Sequence, residues 1–354
     1  MKKVIVFMVT NGAGLGHLTR GLAVAKKLRQ LDSNFEIVFF TTSLATEVIR
    51  NMGFMFYYIP TKTLMPETVT PSIWNEYLKY QLQQVIDFYN PVAIVFDGAY
   101  PYLGMISNLR QYKTLKSIWI KREGYKKNTS NLQELEKNFN LVIIPKDYTE
   151  ASDETYRRKY CNAIVLLDSK EAHSRETIRA ALGLGPNNHL FYVQLGAGNI
   201  NDINEQYEVS IRCILKNPNN RILLAESIIG ETIPIEDERI RTIRSYPNSQ
   251  YFKAIDFAVS AVGYNTFHEL LYFKVPSLFI PNMNTLKDDQ LTRAQLAQEK
   301  GAALCLESVS EDRMDKALFY LVSEKEKMKQ NLQKIHQENG AGEAARYILT
   351  EISK

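Results

Sequence analysis

The sequence has few cysteines, little net charge and no long apolar run, and each absence excludes a class of protein. Its three cysteines, Cys161, Cys213 and Cys305, are far apart and form no C-x-x-C pair, which disfavours disulfide frameworks and zinc sites. The formal net charge of +4 gives no argument for binding nucleic acid. The first apolar run, residues 4–9, is too short for a signal peptide or a membrane-spanning helix. We therefore expect a protein of the cytoplasm, or of the inner face of the cytoplasmic membrane, without nucleic acid as a partner.

Two common nucleotide-binding signatures are also missing from the glycine-rich segment at residues 3–20, KVIVFMVTNGAGLGHLTR. Its spacing is G-x-G-x-G and the next predicted strand ends at Thr41 rather than at a carboxylate, which disfavours a dinucleotide-binding dehydrogenase. No lysine followed by serine or threonine comes after the glycines, which excludes a P-loop. Gly14 and Gly16 still allow a ligand close to the backbone at a helix N-terminus, which favours an anion such as phosphate. His17 opens that helix, where it either contacts the anion or the reacting atoms, or only caps the helix.

Apolar runs alternate with amphipathic segments along the whole chain, which predicts βαβ units and parallel sheets. The predicted strands are 4–9, 36–41, 54–59, 92–97, 116–121 and 141–145 in the first half, and 190–195, 221–226, 240–245, 256–261, 276–281 and 302–307 in the second. We predict two doubly wound α/β domains, residues 1–165 and 166–354, with a last helix at 343–353 that could pack back on the first domain. Ligands of open parallel sheets bind at the carboxyl ends of the strands, so we expect a ligand cleft between the domains.

A second helix start that could bind an anion follows the strand at 256–261, with Asn265 or Thr266 near its N-cap. Glu269 lies one turn inside this helix, where a carboxylate can accept two hydrogen bonds from the ribose diol of a nucleotide. The alternative is a glutamate that only complements the helix dipole. At the start of the next helix, Asp289 and Gln290 suit either the recognition of sugar hydroxyls or ordinary N-capping.

These segments together resemble a known family. NGAGLGHLTRGLAVAKKL in the first half, with VGYNTFHELLYFKVPSLFIPN and DDQLTRAQLAQEKGAAL in the second, resembles the nucleotide-sugar glycosyltransferases of the GT-B fold, in the branch of the N-acetylglucosaminyltransferase that forms lipid II. The resemblance implies two facing Rossmann-like domains with an interdomain cleft and a donor, a UDP-sugar, bound mainly by the C-terminal domain. It implies inverting, metal-independent transfer to a sugar, lipid-linked or small-molecule acceptor in envelope or polysaccharide synthesis, with no cofactor besides the substrate. No Asp-x-Asp pair that could hold a metal-bound diphosphate occurs in the sequence.

The resemblance also implies roles for individual residues. Glu269 would hold the ribose, and Asp289 stands where the family uses a glutamine, so the identity of the sugar stays open. His17, at the glycine-rich loop, is our candidate catalytic base. The donor and its phosphates would be bound by Gly14, Gly16, Arg20, Gly196, Gly198, Asn199, Gly263, Tyr264, Asn265, Thr266, Asp289 and Gln290, with Tyr246 near the base. Candidate acceptor contacts are Asp97, Lys121 and Arg122, although a strand-end aspartate often only caps the next turn.

Two other functions remain open at this point. GLGHLTR also resembles the loop of a nucleotide-sugar hydrolase of the pseudaminic acid pathway, in which water replaces the acceptor and the histidine activates it. A nucleotide-sugar sensor without enzymatic activity is a third class. The aromatic residues at 74–89 either present an amphipathic surface to a polyprenyl-linked acceptor or belong to the core.

Overall fold

The computed structural model describes residues 2–10, 14–122, 132–147, 155–196, 204–228, 237–285, 288–335 and 338–354. The chain divides into two compact units. Unit 1 comprises Met1–Lys146, Glu150–Ile164 and Asn339–Lys354, and unit 2 comprises Asp147–Thr149 and Val165–Glu338. Each unit is built on its own parallel sheet, and the prediction of two parallel-sheet α/β domains is confirmed.

The strands of both sheets are short, and the central ones are buried, as expected for sheets covered by helices. The edge strands at Met55–Tyr58 and Ile240–Ile243 contain no buried residue. In unit 1 the strands are β1 (Lys3–Val9), β2 (Phe35–Thr41), β3 (Met55–Tyr58), β4 (Ala93–Asp97), β5 (Lys116–Ile120), β6 (Leu141–Pro145) and β7 (Arg158–Cys161). In unit 2 they are β8 (His189–Gln194), β9 (Asn220–Ala225), β10 (Ile240–Ile243), β11 (Phe257–Ala261), β12 (Ser277–Ile280) and β13 (Ala303–Cys305). The strand orders are β3-β2-β1-β4-β5-β6-β7 and β10-β9-β8-β11-β12-β13.

Each strand order reverses direction once, between β1 and β4 in unit 1 and between β8 and β11 in unit 2. In doubly wound sheets the ligand crevice opens beyond the carboxyl ends of the strands at this reversal. In unit 1 the paired strand ends are Val9 and Asp97, and in unit 2 the pair is Gln194 and Ser260. These two pairs mark the edges at which functional side chains are expected.

Helices connect the strands in chain order. They are α1 (Gly16–Leu31), α2 (Thr46–Asn51), α3 (Pro71–Tyr89), α4 (Leu103–Gln111), α5 (Leu132–Glu136), α6 (Arg175–Ala181), α7 (Asn204–Leu215), α8 (Tyr264–Tyr272), α9 (Gln290–Glu299), α10 (Glu311–Ser323), α11 (Lys325–Lys334) and α12 (Ala341–Ile352). None of the described helices is long and apolar enough to span a membrane.

The helix α3 shows how local chemistry sets an element. The Thr70 hydroxyl accepts a hydrogen bond from the Ile73 N–H, and proline at the first helical position is preorganised for the helix. The helix ends at Asn90, whose φ of 43° is left-handed. Of its aromatic residues, Trp74 is buried in the core, whereas Tyr80 and Phe88 are exposed. The core interpretation of the 74–89 stripe therefore holds for Trp74, and a surface for a polyprenyl-linked acceptor stays a prediction for the exposed residues.

The C-terminal helix α12 packs against α1 in unit 1. Gly340 donates its N–H to the Ala163 carbonyl, and a Cβ at this glycine would lie 1.8 Å from the Asn162 carbonyl oxygen. The Glu343 carboxylate accepts a hydrogen bond from the Asn162 N–H at 2.6 Å. This close approach of two backbones explains the glycine before the last helix.

Two details differ from the sequence prediction. Every predicted apolar run contains a strand, but β7 (RKYC) was missed because two of its four residues are charged and no apolar run marks it. The helix α8 begins at Tyr264 with Gly263 at the N-cap, rather than with Asn265 or Thr266 there. Glycine is an accepted N-cap residue, so no side chain is needed at that position.

Candidate active site

In unit 1 the carboxyl ends of β1 and β4 bring three polar side chains together. His17, in the first turn of α1, has its Nδ1 atom 2.6 Å from Asp97 Oδ1 at the end of β4. Arg20, one turn further along α1, donates from Nε to Asp97 Oδ2 at 3.1 Å and from Nη2 to Asp97 Oδ1 at 2.6 Å. Asp97 is fully buried, whereas a quarter of the His17 side chain is exposed. The imidazole is therefore the member of this cluster that a substrate can reach.

Two groups contact Nδ1 of the imidazole: Asp97 Oδ1 at 2.6 Å and Arg20 Nη2 at 2.8 Å. Asp97 forms a two-point contact with the Arg20 guanidinium, and a carboxylate so paired accepts hydrogen bonds. The tautomer that donates to Asp97 carries its proton on Nδ1 and has the Nε2 lone pair as its acceptor. Burial lowers the pKa of His17 against the opposing effect of Asp97, and the charges of Arg20 and Arg122 lower it further. A neutral imidazole oriented by a carboxylate is a suitable general base.

Other residues predicted for unit 1 have structural partners. Arg20 is 2% exposed and donates two hydrogen bonds to Asp97, and its contact with phosphate stays a prediction. Asp97 is fully buried and contacts both His17 and Arg20, and its contact with the acceptor stays a prediction. Lys121 is buried and its Nζ donates to Glu136, a pairing that the sequence prediction missed.

The glycine turn before α1 is described only in part. Gly16 is the first residue of α1, and an added Cβ at Gly14 would meet no described atom within 4 Å. The predicted anion site also included residues 11–13, which lie outside the described residues. Arg122 follows β5 and is half-buried.

In unit 2 the residue that was predicted to bind the ribose, Glu269, lies in α8. Glu269 is 8% exposed, and its Oε1 accepts a hydrogen bond from Ser249 Oγ at 3.1 Å. Burial raises the pKa of Glu269 to about 7, although the bonds from Ser249 and the Leu166 backbone act in the opposite direction. The carboxyl group is therefore half-ionised near neutral pH. A ligand that donates hydrogen bonds to it would stabilise the ionised form.

The start of α8 adjoins the end of β8. Thr266 donates its hydroxyl to Gln194 Oε1 at 3.3 Å, Tyr264 is buried, and Asn265 is half-buried between them. N–H groups in the first turn of a helix point out of its N-terminus and favour an anion there. Gly196, just beyond β8, has a φ of 119°, which favours glycine.

The contacts of three residues predicted to bind the donor in unit 2 are not defined by the structure. Gly198 and Asn199 lie outside the described residues. Tyr246 is half-buried after β10, where nearby Ser245 Oγ and Tyr251 Oη lie 3.0 Å apart. The sequence prediction had placed the nucleobase near this tyrosine.

The predicted sugar contacts stand at the start of α9. Asp289 is the N-cap residue, with Oδ1 accepting from the Thr292 N–H and Oδ2 from the Thr292 hydroxyl. Gln290 is 8% exposed, and its Oε1 accepts from the backbone N–H groups of Val262 and Asn282. The capping interpretation of Asp289 is thus satisfied. Gln290 ties the turn before α8 to the turn before α9.

A buried ionic cluster lies beside both turns. Arg293 donates from Nε and Nη2 to the Asp147 carboxylate, from Nη2 to Asp288 and from Nη1 to the Val262 carbonyl. His268 Nε2 lies 3.1 Å from Asp147 Oδ1. Burial opposes ionisation of Asp147, but the hydrogen bond from His268 and the charge of Arg293 hold its pKa far below the usual range. Sequence analysis missed Asp147, because it follows β6 and lies far along the chain from its partners.

The fold and the comparisons together define a class of protein. Two parallel-sheet α/β units are the fold expected of a nucleotide-sugar glycosyltransferase of the GT-B fold, and the solved structure reported below confirms this fold. The matched domain and the named relatives confirm the enzyme class, and the chain is a glycosyltransferase. Residues 238–347, from β10 into α12, match the glycosyltransferase family 28 C-terminal domain.

Named relatives of this class match the chain over nine-tenths of its length or more. It is 22% identical over 342 residues to a UDP-N-acetylglucosamine--N-acetylmuramyl-(pentapeptide) pyrophosphoryl-undecaprenol N-acetylglucosamine transferase of Natranaerobius thermophilus, covering 90% of this chain and 91% of the relative. It is 25% identical over 374 residues to the enzyme of the same name from Rickettsia felis, covering 96% of each chain. The solved structure of MurG from Acinetobacter baumannii superimposes with a TM-score of 0.67 at 14% identity, covering 99% of this chain and 100% of that one.

Proposed function

We propose that this glycosyltransferase moves N-acetylglucosamine from UDP-N-acetylglucosamine to a hydroxyl of a lipid-linked sugar, with inversion at the anomeric carbon and without a metal ion. The observation that carries the proposal is the buried Glu269 in α8, next to a glycine N-cap and within the segment that matches the family 28 domain. The named relatives act on a donor and an acceptor of these kinds.

In the proposed donor complex Glu269 accepts hydrogen bonds from both ribose hydroxyls. The N-terminus of α8 stabilises the diphosphate, which gains negative charge as it leaves. Gln290 would contact the sugar through its amide nitrogen, since its Oε1 already accepts from two backbone N–H groups.

In the proposed reaction the acceptor oxygen attacks the anomeric carbon while the bond from that carbon to the UDP oxygen breaks. The acceptor proton passes to Nε2 of His17, and Asp97 stabilises the resulting imidazolium through Nδ1. Arg20 holds Asp97 in place. UDP leaves with the electron pair of the broken bond, so the charges balance without a metal ion.

A lipid-linked acceptor is supported by exposed apolar side chains on α3. Ile73, Tyr80 and Phe88 are 54%, 61% and 78% exposed. Exposed apolar side chains of this size on one helix suit contact with the edge of a membrane, where a polyprenyl chain is anchored. We therefore propose peripheral contact with the membrane that carries the acceptor.

The function is tested by product analysis with purified protein, a panel of nucleotide sugars and lipid extract. We expect UDP release from UDP-N-acetylglucosamine only when the lipid acceptor is present, and no change in rate with EDTA. UDP release without any acceptor would instead favour the hydrolase, to which the comparisons give no support. Binding without turnover under any condition would favour a sensor.

The pH dependence of UDP binding tests the ribose contact. If the ionised Glu269 is the form that binds the ribose, its pKa of about 7 means that UDP affinity rises as pH increases, by about 10-fold between pH 6 and pH 8. Isothermal titration calorimetry across this range measures the effect. Glu269→Gln is the matched control, because it cannot ionise, and it should bind UDP more weakly with a flatter profile. A wild-type profile no steeper than that of the variant would contradict the ribose assignment.

A further inference from the structure

Gln194 is a polar residue that neither the sequence motifs nor the proposed mechanism has used. It is the last residue of β8, after four buried residues, Leu190 to Val193. It pairs with Ser260 of β11, so it stands where the strand order of unit 2 reverses. A half-buried amide at this edge faces the place where doubly wound sheets bind ligands.

Hydrogen bonds fix the orientation of the Gln194 amide. Asn248 donates from Nδ2 to the Tyr192 hydroxyl oxygen at 3.2 Å, and Tyr192 donates its own proton to Gln194 Oε1 at 2.8 Å. Burial raises the pKa of Tyr192 well above its usual value, so the hydroxyl stays protonated. Since Thr266 also donates to Gln194 Oε1, the oxygen of this amide is the acceptor of two hydroxyls.

The same bonds leave the amide nitrogen with its two hydrogens for another partner. Gln194 Nε2 has no hydrogen-bond partner among the described residues, and it is covalently fixed within about 2.3 Å of the bonded oxygen. Thr266, bound to that oxygen, is in the first turn of α8, whose N–H groups favour an anion. The unused donor and the helix start therefore lie side by side.

We propose that Gln194 is a further donor-binding residue, whose Nε2 group donates a hydrogen bond to the diphosphate of the nucleotide sugar. This inference rests on the proposed function and names a contact within the same site. Tyr192 and Asn248 act as positioning residues, because they orient the amide without touching the ligand. The sequence carried no motif for this residue, since its role depends on partners in two other elements.

The test compares UDP with uridine, which lacks the phosphates. Gln194→Glu keeps an oxygen acceptor for Tyr192 and Thr266 but replaces the Nε2 donor with a second carboxylate oxygen, which repels a diphosphate. We expect its Kd for UDP to rise at least 10-fold, while its Kd for uridine stays within 2-fold of the wild-type value. A Gln194→Met variant removes the donor without adding charge, and its Kd for UDP should rise by a smaller factor.

Thermal unfolding of each variant checks that it is folded. If Gln194→Glu does not fold, Gln194→Met still tests the role of the amide. An unchanged Kd for UDP in the folded variants, or equal losses for UDP and uridine, would overturn the role of Gln194 while the function stands. Failure of the wild-type protein to bind UDP would overturn the proposed function, and this inference with it. The two failures are distinguished by the wild-type titration alone.

Discussion

Replacement of His17 by alanine should lower kcat by about 100- to 10,000-fold, the range that a positioned general base contributes. The Kd for UDP should change less than 2-fold, because the imidazole is assigned to the acceptor proton and not to the donor. Steady-state kinetics with the lipid acceptor and calorimetry with UDP measure the two quantities. His173→Ala, at an exposed position in unit 2, is the matched control and should leave both unchanged.

The pH profile of kcat/KM gives a second readout of the same assignment. A base acts in its deprotonated form, so activity is lost as pH falls through the pKa of the base. Burial lowers the pKa of His17, and the acid limb of the wild-type enzyme should therefore lie below pH 6.5. An acid limb above that value, or a variant His17→Ala with the wild-type kcat, would exclude His17 as the base.

Substitution of Asp97, the partner of His17, should have an intermediate effect on kcat. Asp97→Asn keeps the size of the side chain but replaces the carboxylate that orients Nδ1 and stabilises the imidazolium. Its kcat should lie between those of the wild type and His17→Ala. Because Asp97 is fully buried beside Arg20, the folded state of this variant is checked by circular dichroism before the kinetics are compared.

The sequence predicted the sheets and the two helix starts because each depends on a local pattern. Short apolar runs predict buried strands, and glycines followed by a polar residue predict a turn into a helix. These local signals located His17 and Glu269 at their strand edges. The strand β7 escaped because its position at the edge of the sheet, next to β6, tolerates charged residues.

The roles of Arg20, Asp97 and Asp147 could not be predicted in the same way. Arg20 and Asp97 are 77 positions apart, and their ion pair exists only because β1 and β4 are neighbours in register. Sequence reasoning therefore assigned Arg20 to phosphate and Asp97 to the acceptor, as for accessible side chains. Asp147 meets Arg293 across 146 positions, which no spacing rule anticipates.

The second large effect is expected when the ion pair of Arg293 with Asp147 is broken. Arg293→Met should lower the free energy of unfolding by about 3–5 kcal/mol. Arg293 is 3% exposed and neutralises the buried Asp147 carboxylate. Removal of the guanidinium leaves His268 beside that carboxylate and takes a hydrogen-bond donor from the Val262 carbonyl. Urea unfolding followed by far-ultraviolet circular dichroism measures the loss.

The double variant Asp147→Leu with Arg293→Met separates the ion pair from a simple packing defect. If the loss arises from an uncompensated buried charge, removal of the second charge should restore part of the stability. Lys316→Met is the matched control, since its exposed pair with Asp312 on α10 should be worth less than about 1 kcal/mol.

Both tryptophans, Trp74 and Trp119, are in unit 1. Their fluorescence therefore distinguishes a loss of stability confined to unit 2 from one that also affects unit 1. A single variant within 1 kcal/mol of the wild type, or a double variant less stable than the single one, would show that the Arg293–Asp147 pair does not stabilise unit 2 in this way.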